Sequence, residues 1–147
     1  MWPLPEAPVQ TTLRTMDDTR RLAATLAERL RPGDVLALAG DLGAGKTSLI
    51  KAIAAAWGAE EAAVRSPTFA LINIHALAEF DLVHADLYRL EGADDLLGCG
   101  LLDHLGSADC VVAIEWPEMA EPWLPEHTLR IALRLCPDGS RTVEIPE

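Results

Sequence analysis

The residues Gly40-Asp41-Leu42-Gly43-Ala44-Gly45-Lys46-Thr47 satisfy the pattern G-x-x-x-x-G-K-[ST], and each residue type has a chemical reason to be there. Gly43 and Gly45 let the backbone curl until successive N–H groups point inward, and their missing side chains leave room for phosphate oxygens. A helix starting directly after the turn would add the partial positive charge of its N-terminus. Lys46 would place an ammonium where β- and γ-phosphate charges meet, and the Thr47 hydroxyl is a hard oxygen suited to Mg²⁺. Only Lys46 and Lys51 are lysines, so a lysine at this position carries more information than usual.

A metal-bound triphosphate also needs an anionic ligand and a group that positions the attacking water, commonly at the carboxyl ends of neighbouring strands. The apolar run Cys110–Ile114 terminates at Glu115, and Phe80–Ala85 terminates at Asp86. Thr68, in Ser66-Pro67-Thr68-Phe69, offers a hydroxyl in a loop of the kind that senses a γ-phosphate or its metal. His84 reads first as a structural histidine on a half-buried strand, and Trp116 as packing or a partner anchor. Tyr88 and Arg89 follow Asp86 closely enough to orient it, with a capping or surface role equally open.

These groups need a scaffold, and the hydrophobic pattern supplies one. Leu22, Leu26 and Leu30, with Ala23 and Ala27, make one stripe on a helix opening at Asp17 or Asp18 and stopped by Pro32-Gly33. Val35–Ala39 reads as a strand buried on both faces, and Thr47–Trp57 as a helix ended by Gly58. Strand, glycine turn and helix form half of a βαβ unit. Further strands are predicted at Phe69–His75, Phe80–Ala85, Cys110–Ile114, Thr128–Leu135 and Arg141–Ile145, with helix only around Ala93–Leu105. Pro137-Asp138-Gly139 joins the last two strands into an antiparallel hairpin, and the Thr/Leu run before Arg14 is an edge-strand candidate.

The expected fold is a three-layer α/β P-loop NTPase with a mostly parallel central sheet and a C-terminal antiparallel hairpin, a single domain over residues 1–147. Half of the residues are hydrophobic, enough for a packed core. Twelve basic against 23 acidic side chains give a net charge of −11, which argues against direct gripping of nucleic acid and favours a basic partner. Cys99, Cys110 and Cys136 lack zinc or disulfide spacing and read as small buried hydrophobes of a reducing compartment. No stretch approaches the roughly 18 apolar residues of a membrane span, and the N-terminus has no basic, apolar leader pattern, so a cytoplasmic protein is expected.

Gly40–Thr47, Ser66–Phe69, His84-Ala85-Asp86-Leu87-Tyr88-Arg89-Leu90 and Ile114-Glu115-Trp116-Pro117-Glu118, in this order, resemble the successive signatures of the bacterial TsaE family over about residues 15–145. The resemblance implies a small P-loop ATPase using ATP and Mg²⁺. It also implies partners: TsaD-like and TsaB-like proteins that form threonylcarbamoyladenosine at adenosine 37 of tRNAs reading codons beginning with A, with tRNA contacted only indirectly. In that picture Leu42, Gly43, Ala44, Gly45 and Lys46 hold phosphates, and Thr47 and Glu115 hold Mg²⁺. Asp86 is the essential strand-end acid, Thr68 senses nucleotide state, and Thr15–Asp17 with Arg141 contribute to the adenine pocket. Ala85, where the family has a bulky residue, and Ala93–Gly100, where it has an acid-rich helix start before a glycine, depart from the pattern.

Other readings of the same motif are a small-molecule kinase and a nucleotide-dependent interaction module without useful hydrolysis. A kinase with an anionic acceptor would want an arginine clamp, and Arg89 is the only arginine between Arg65 and Arg130. A GTPase would want an N-K-x-D base reader, but the sole asparagine, Asn73, is followed by Ile74.

Overall fold

The computed structural model describes residues 9–60, 64 and 71–145. The strands are β1 (Val9–Leu13), β2 (Val35–Ala39), β3 (Ile72–Ala76), β4 (Asp81–Asp86), β5 (Cys110–Glu115), β6 (Leu129–Leu135) and β7 (Arg141–Ile145). The α-helices are α1 (Met16–Arg29), α2 (Lys46–Ala56) and α3 (Ala93–Gly98). The strands form one seven-stranded sheet in the order β1-β7-β6-β2-β5-β4-β3. Its centre, β6-β2-β5-β4, is parallel. Both flanks are antiparallel: β3 on β4, and the expected β6–β7 hairpin carrying β1 as the edge strand.

The side chains of the central strands sort by alternate residues into two cores, which makes the fold three-layered. Leu36 and Leu38 of β2 and Ala113 of β5 join Leu26 of α1 and Leu49 and Ile53 of α2 on one face. Val35, Val112 and Ile114 join Leu96 of α3 and Leu101 on the other. Burial on both faces is why these strands read as continuous apolar runs, each buried leucine stabilising the fold by roughly 1.5–3 kcal/mol.

The N-cap of α1 is Thr15, in place of the expected Asp17 or Asp18. Thr15 Oγ1 accepts from the Asp18 backbone N–H at 3.1 Å, and the Asp18 carboxylate reaches back to the N–H groups of Arg14 and Thr15. Asp18 is thus the third helical residue of a capping box. The buried stripe, Thr19, Ala23 and Leu26, follows as the leucine spacing requires. Trp57 closes α2 and is tied into the fold: its Nε1–H donates to Ala27 O at 3.1 Å, and its ring meets Phe80 edge-on with centroids 5.0 Å apart.

Three expectations need correction. The helix predicted across Ala93–Leu105 breaks after Gly98, because Gly100 takes φ +87° and only a 3₁₀ turn, Leu101–Asp103, follows. A second 3₁₀ segment, Pro117–Trp123, went unpredicted because Pro117 and Pro122 erase any α-helical signal. Only Cys110 is buried, while Cys99 and Cys136 are partly exposed; all three are free thiols, and burial pushes the Cys110 thiol up.

Removing the Thr15 cap while leaving the core alone isolates its contribution. Thr15→Ala should lower stability by about 1 kcal/mol, read as a shifted urea midpoint with an unchanged slope.

Candidate functional site

The turn after β2 is shaped by its neighbours as much as by its own sequence. The parallel register pairs Ala39 with Ala132, which brings Gly40 against the backbone of Leu133. A Cβ on Gly40 would lie 2.4 Å from Leu133 O, so only glycine fits, and its φ is +151°. At Gly45, the N-cap of α2, φ is +98° and a Cβ would press on the Arg141 side chain at 3.0 Å. Arg141, the first residue of β7, donates from Nε and Nη2 to Gly43 O at 3.3 and 3.2 Å. The loop is therefore held open by glycines and braced from outside by an arginine.

Lys46 is buried, and its ammonium hydrogen-bonds the carbonyls of Gly40 and Asp41 while lying 4.0 Å from the Trp116 ring centroid. Burial lowers its pKa, opposed by the charges of Glu115 and Asp86. These two acids are register partners at the ends of β5 and β4. Glu115 is buried; its Oε1 accepts from Thr47 Oγ1 at 2.7 Å, and its Oε2 lies 2.6 Å from His84 Nε2. Burial raises the pKa of Asp86, opposed by the backbone N–H of Tyr88, which donates to Oδ1 at 3.0 Å. The charge of Glu115 pushes it up further.

The chain turns sharply after Glu115. Trp116 has φ +56°, the only positive value among the described non-glycine residues. Its backbone N–H donates to Leu38 O at 3.3 Å, and its ring lies against Tyr88 with centroids 4.8 Å apart. Such backbone conformations cost about 1–3 kcal/mol and persist where the surroundings over-determine them.

Most of these groups, though not Gly40 or His84, line a cavity of about 330 Å³, the size of a small-ligand site. Leu42, Gly43, Ala44, Gly45, Lys46, Thr47, Asp86, Glu115 and Arg141, all singled out from sequence, line it. Thr15–Asp17 are not among its lining residues, and Thr68 lies outside the described residues. Arg89 lies in a separate groove with Asp94 and Asp95. Sequence reasoning missed Trp116 and Tyr88 as cavity walls and His84 as the partner of Glu115; adjacency to Glu115 and Asp86 was the only local signal for the two aromatics. The donor set is chemically consistent: loop amides and Lys46 suit phosphate oxygens, and the Thr47–Glu115 pair of hard oxygens suits a divalent ion such as Mg²⁺.

Among the described residues no helix is long and apolar enough to cross a membrane. The family model described as threonylcarbamoyl adenosine biosynthesis protein TsaE matches residues 13–143. The chain is 36% identical over 133 residues to a tRNA threonylcarbamoyladenosine biosynthesis protein TsaE from Treponema pallidum, covering 90% of this chain and 96% of that one. A protein of the same description from Bacillus subtilis is 36% identical over 127 residues, covering 86% and 78%. The fold resembles the crystal structure of Bacillus subtilis YdiB, with TM-score 0.70, 29% identity, and coverage of 94% of this chain and 84% of that one. With the motif order, the P-loop α/β fold and these similarities in agreement, the chain belongs to the TsaE family.

Proposed function

We propose that this chain is a single-domain, cytoplasmic ATPase that binds Mg·ATP and hydrolyses it in support of a TsaD-like and TsaB-like complex. The complex would form threonylcarbamoyladenosine on tRNA, in line with the description of the relatives. The observation that carries the reading is the convergence of Lys46, Thr47, Glu115 and Asp86 on one cavity at the mouth of a glycine turn. The net charge of −11 supports tRNA being held by the partners and not by this chain.

In this reading the Leu42–Lys46 amides cradle the phosphates, and the Lys46 ammonium exchanges two neutral carbonyl acceptors for anionic oxygens, a stronger hydrogen bond. Thr47 and Glu115 would hold Mg²⁺, which when bound supplies neutralising charge at the phosphate oxygens. Asp86 orients the attacking water: its raised pKa is that of an acceptor held in a partly dry, anionic setting. Arg141 stands beside the loop to contact the nucleotide, and Thr68 senses its state.

ATP turnover measured with and without TsaD and TsaB tests the whole reading. Turnover that rises with both partners is expected; phosphate appearing on an added metabolite would show a kinase instead, and no turnover in the full complex would leave only an interaction module.

Lys46→Ala should weaken Mg·ADP binding by tenfold or more in calorimetry, since the cradle loses its ammonium. Unchanged affinity would refute the site.

Asp86→Asn and Glu115→Gln should each stop turnover while preserving the fold. For Asp86 the direction of the pKa shift adds a stability prediction. Because burial raises its folded pKa, ionisation costs stability at neutral pH, and that cost vanishes once pH falls below the ordinary aspartate range. Asp86→Asn should therefore melt at a higher temperature than the native chain at neutral pH, with the gap closing in acid.

A further inference from the structure

His84 lies on β4 two residues before Asp86, its ring fully buried, and none of the roles above uses it. Its Nε2 is 2.6 Å from Glu115 Oε2, while Thr47 Oγ1 occupies Oε1 at 2.7 Å. A carboxylate offers only acceptors, so the ring must present its hydrogen from Nε2. The other ring nitrogen, Nδ1, is buried and has no hydrogen-bond partner among the described residues. An aliphatic side chain of similar volume would have no ring nitrogen to satisfy, but it would leave Oε2 of the buried Glu115 without its partner. What distinguishes a histidine between Asn73 and Ala113, its register neighbours, is therefore its hydrogen bond to Glu115 and not its packing.

Glu115 has several rotatable bonds at the end of a strand, and Trp116 immediately after it takes a left-handed backbone conformation. Thr47, on α2, approaches its carboxylate from across the loop. A carboxylate held at one oxygen can still swing about that contact, whereas one held at both is fixed in plane and direction. Groups that hydrogen-bond a metal ligand from behind commonly contribute about 10–100-fold to metal affinity.

We infer that His84 is a positioning residue: through Nε2–H it pins Oε2 of Glu115 while Thr47 holds Oε1, and so fixes the orientation in which this carboxylate would meet a divalent ion. The inference rests on the Mg·nucleotide reading of the cavity and adds to it the group that sets the metal ligand's orientation. His84 acts through Glu115 and makes no contact with the nucleotide.

The test measures ADP affinity by calorimetry in EDTA and in Mg²⁺, taking the ratio as the metal dependence. In His84→Leu and His84→Asn the ratio should fall about tenfold or more with metal-free affinity unchanged, because leucine has no donor and the asparagine amide does not reach the Nε2 position. His84→Gln, whose amide nitrogen comes close to that position, should restore most of the ratio. Melting temperatures of all three are recorded alongside. If they fall while the ratio holds, the role is structural and the inference is overturned. Should His84→Leu not fold, the asparagine and glutamine variants decide: equal metal dependence in both overturns it. A native chain that binds ADP in neither buffer overturns the nucleotide reading and this inference together, whereas native metal dependence retained in His84→Asn overturns the inference alone.

Discussion

A buried carboxylate at the end of a central strand is the constraint around which this molecule is arranged. Glu115 is 3% exposed, and a group of this kind is tolerated inside a protein only when its oxygens are hydrogen-bonded. Its two oxygens are met from different elements: Thr47 from the first turn of α2, and His84 from β4. One side chain thus ties the phosphate-loop helix to the two strands on which the acids sit. The parallel pairing of β4 with β5 then fixes Asp86 beside Glu115 by register alone.

The same economy places Arg141. Because β6 runs parallel to β2 and β7 returns antiparallel to β6, the first residue of β7 arrives at the end of β2 where the loop begins. Arg141 and Gly43 are 98 positions apart in sequence, yet two strand pairings suffice to bring them into hydrogen-bonding contact. The antiparallel flank of an otherwise parallel sheet therefore delivers a cation to the cradle.

What could be read from the sequence follows the range of the interaction that decides it. The glycine turn, the leucine stripe of α1 and the apolar strands are local or periodic signals, and they appear where expected. Glu115 and Asp86 were legible as strand ends because the apolar runs stop at them. His84 was not legible as their companion, since its contact with Glu115 spans 31 positions and depends on strand order. The left-handed backbone of Trp116 is hidden for a different reason: a tryptophan at φ +56° contradicts local preference and is held by Leu38, which accepts its N–H, and by the Tyr88 ring against it. Thr15 is not legible as a cap because Asp17 and Asp18 lie just beyond it, and only the reciprocal hydrogen bonds distinguish the cap from its third residue.

The charge within the cavity bears on how the site would select its ligand under the proposed function. Its charged lining groups are two cations, Lys46 and Arg141, and two acids, Asp86 and Glu115, a formal balance of zero. The chain around them carries −11, so no surplus of formal positive charge draws in a polyphosphate. A bare nucleotide would meet two fixed carboxylates on entry, one of them already forced up in pKa by its surroundings. Pairing the phosphates with a divalent ion would remove that conflict, because Glu115 would then serve as a ligand and not as a repulsive neighbour. Affinity should then depend on the metal and the nucleotide jointly, and the orientation of the Glu115 carboxylate becomes the structural variable through which that coupling is set.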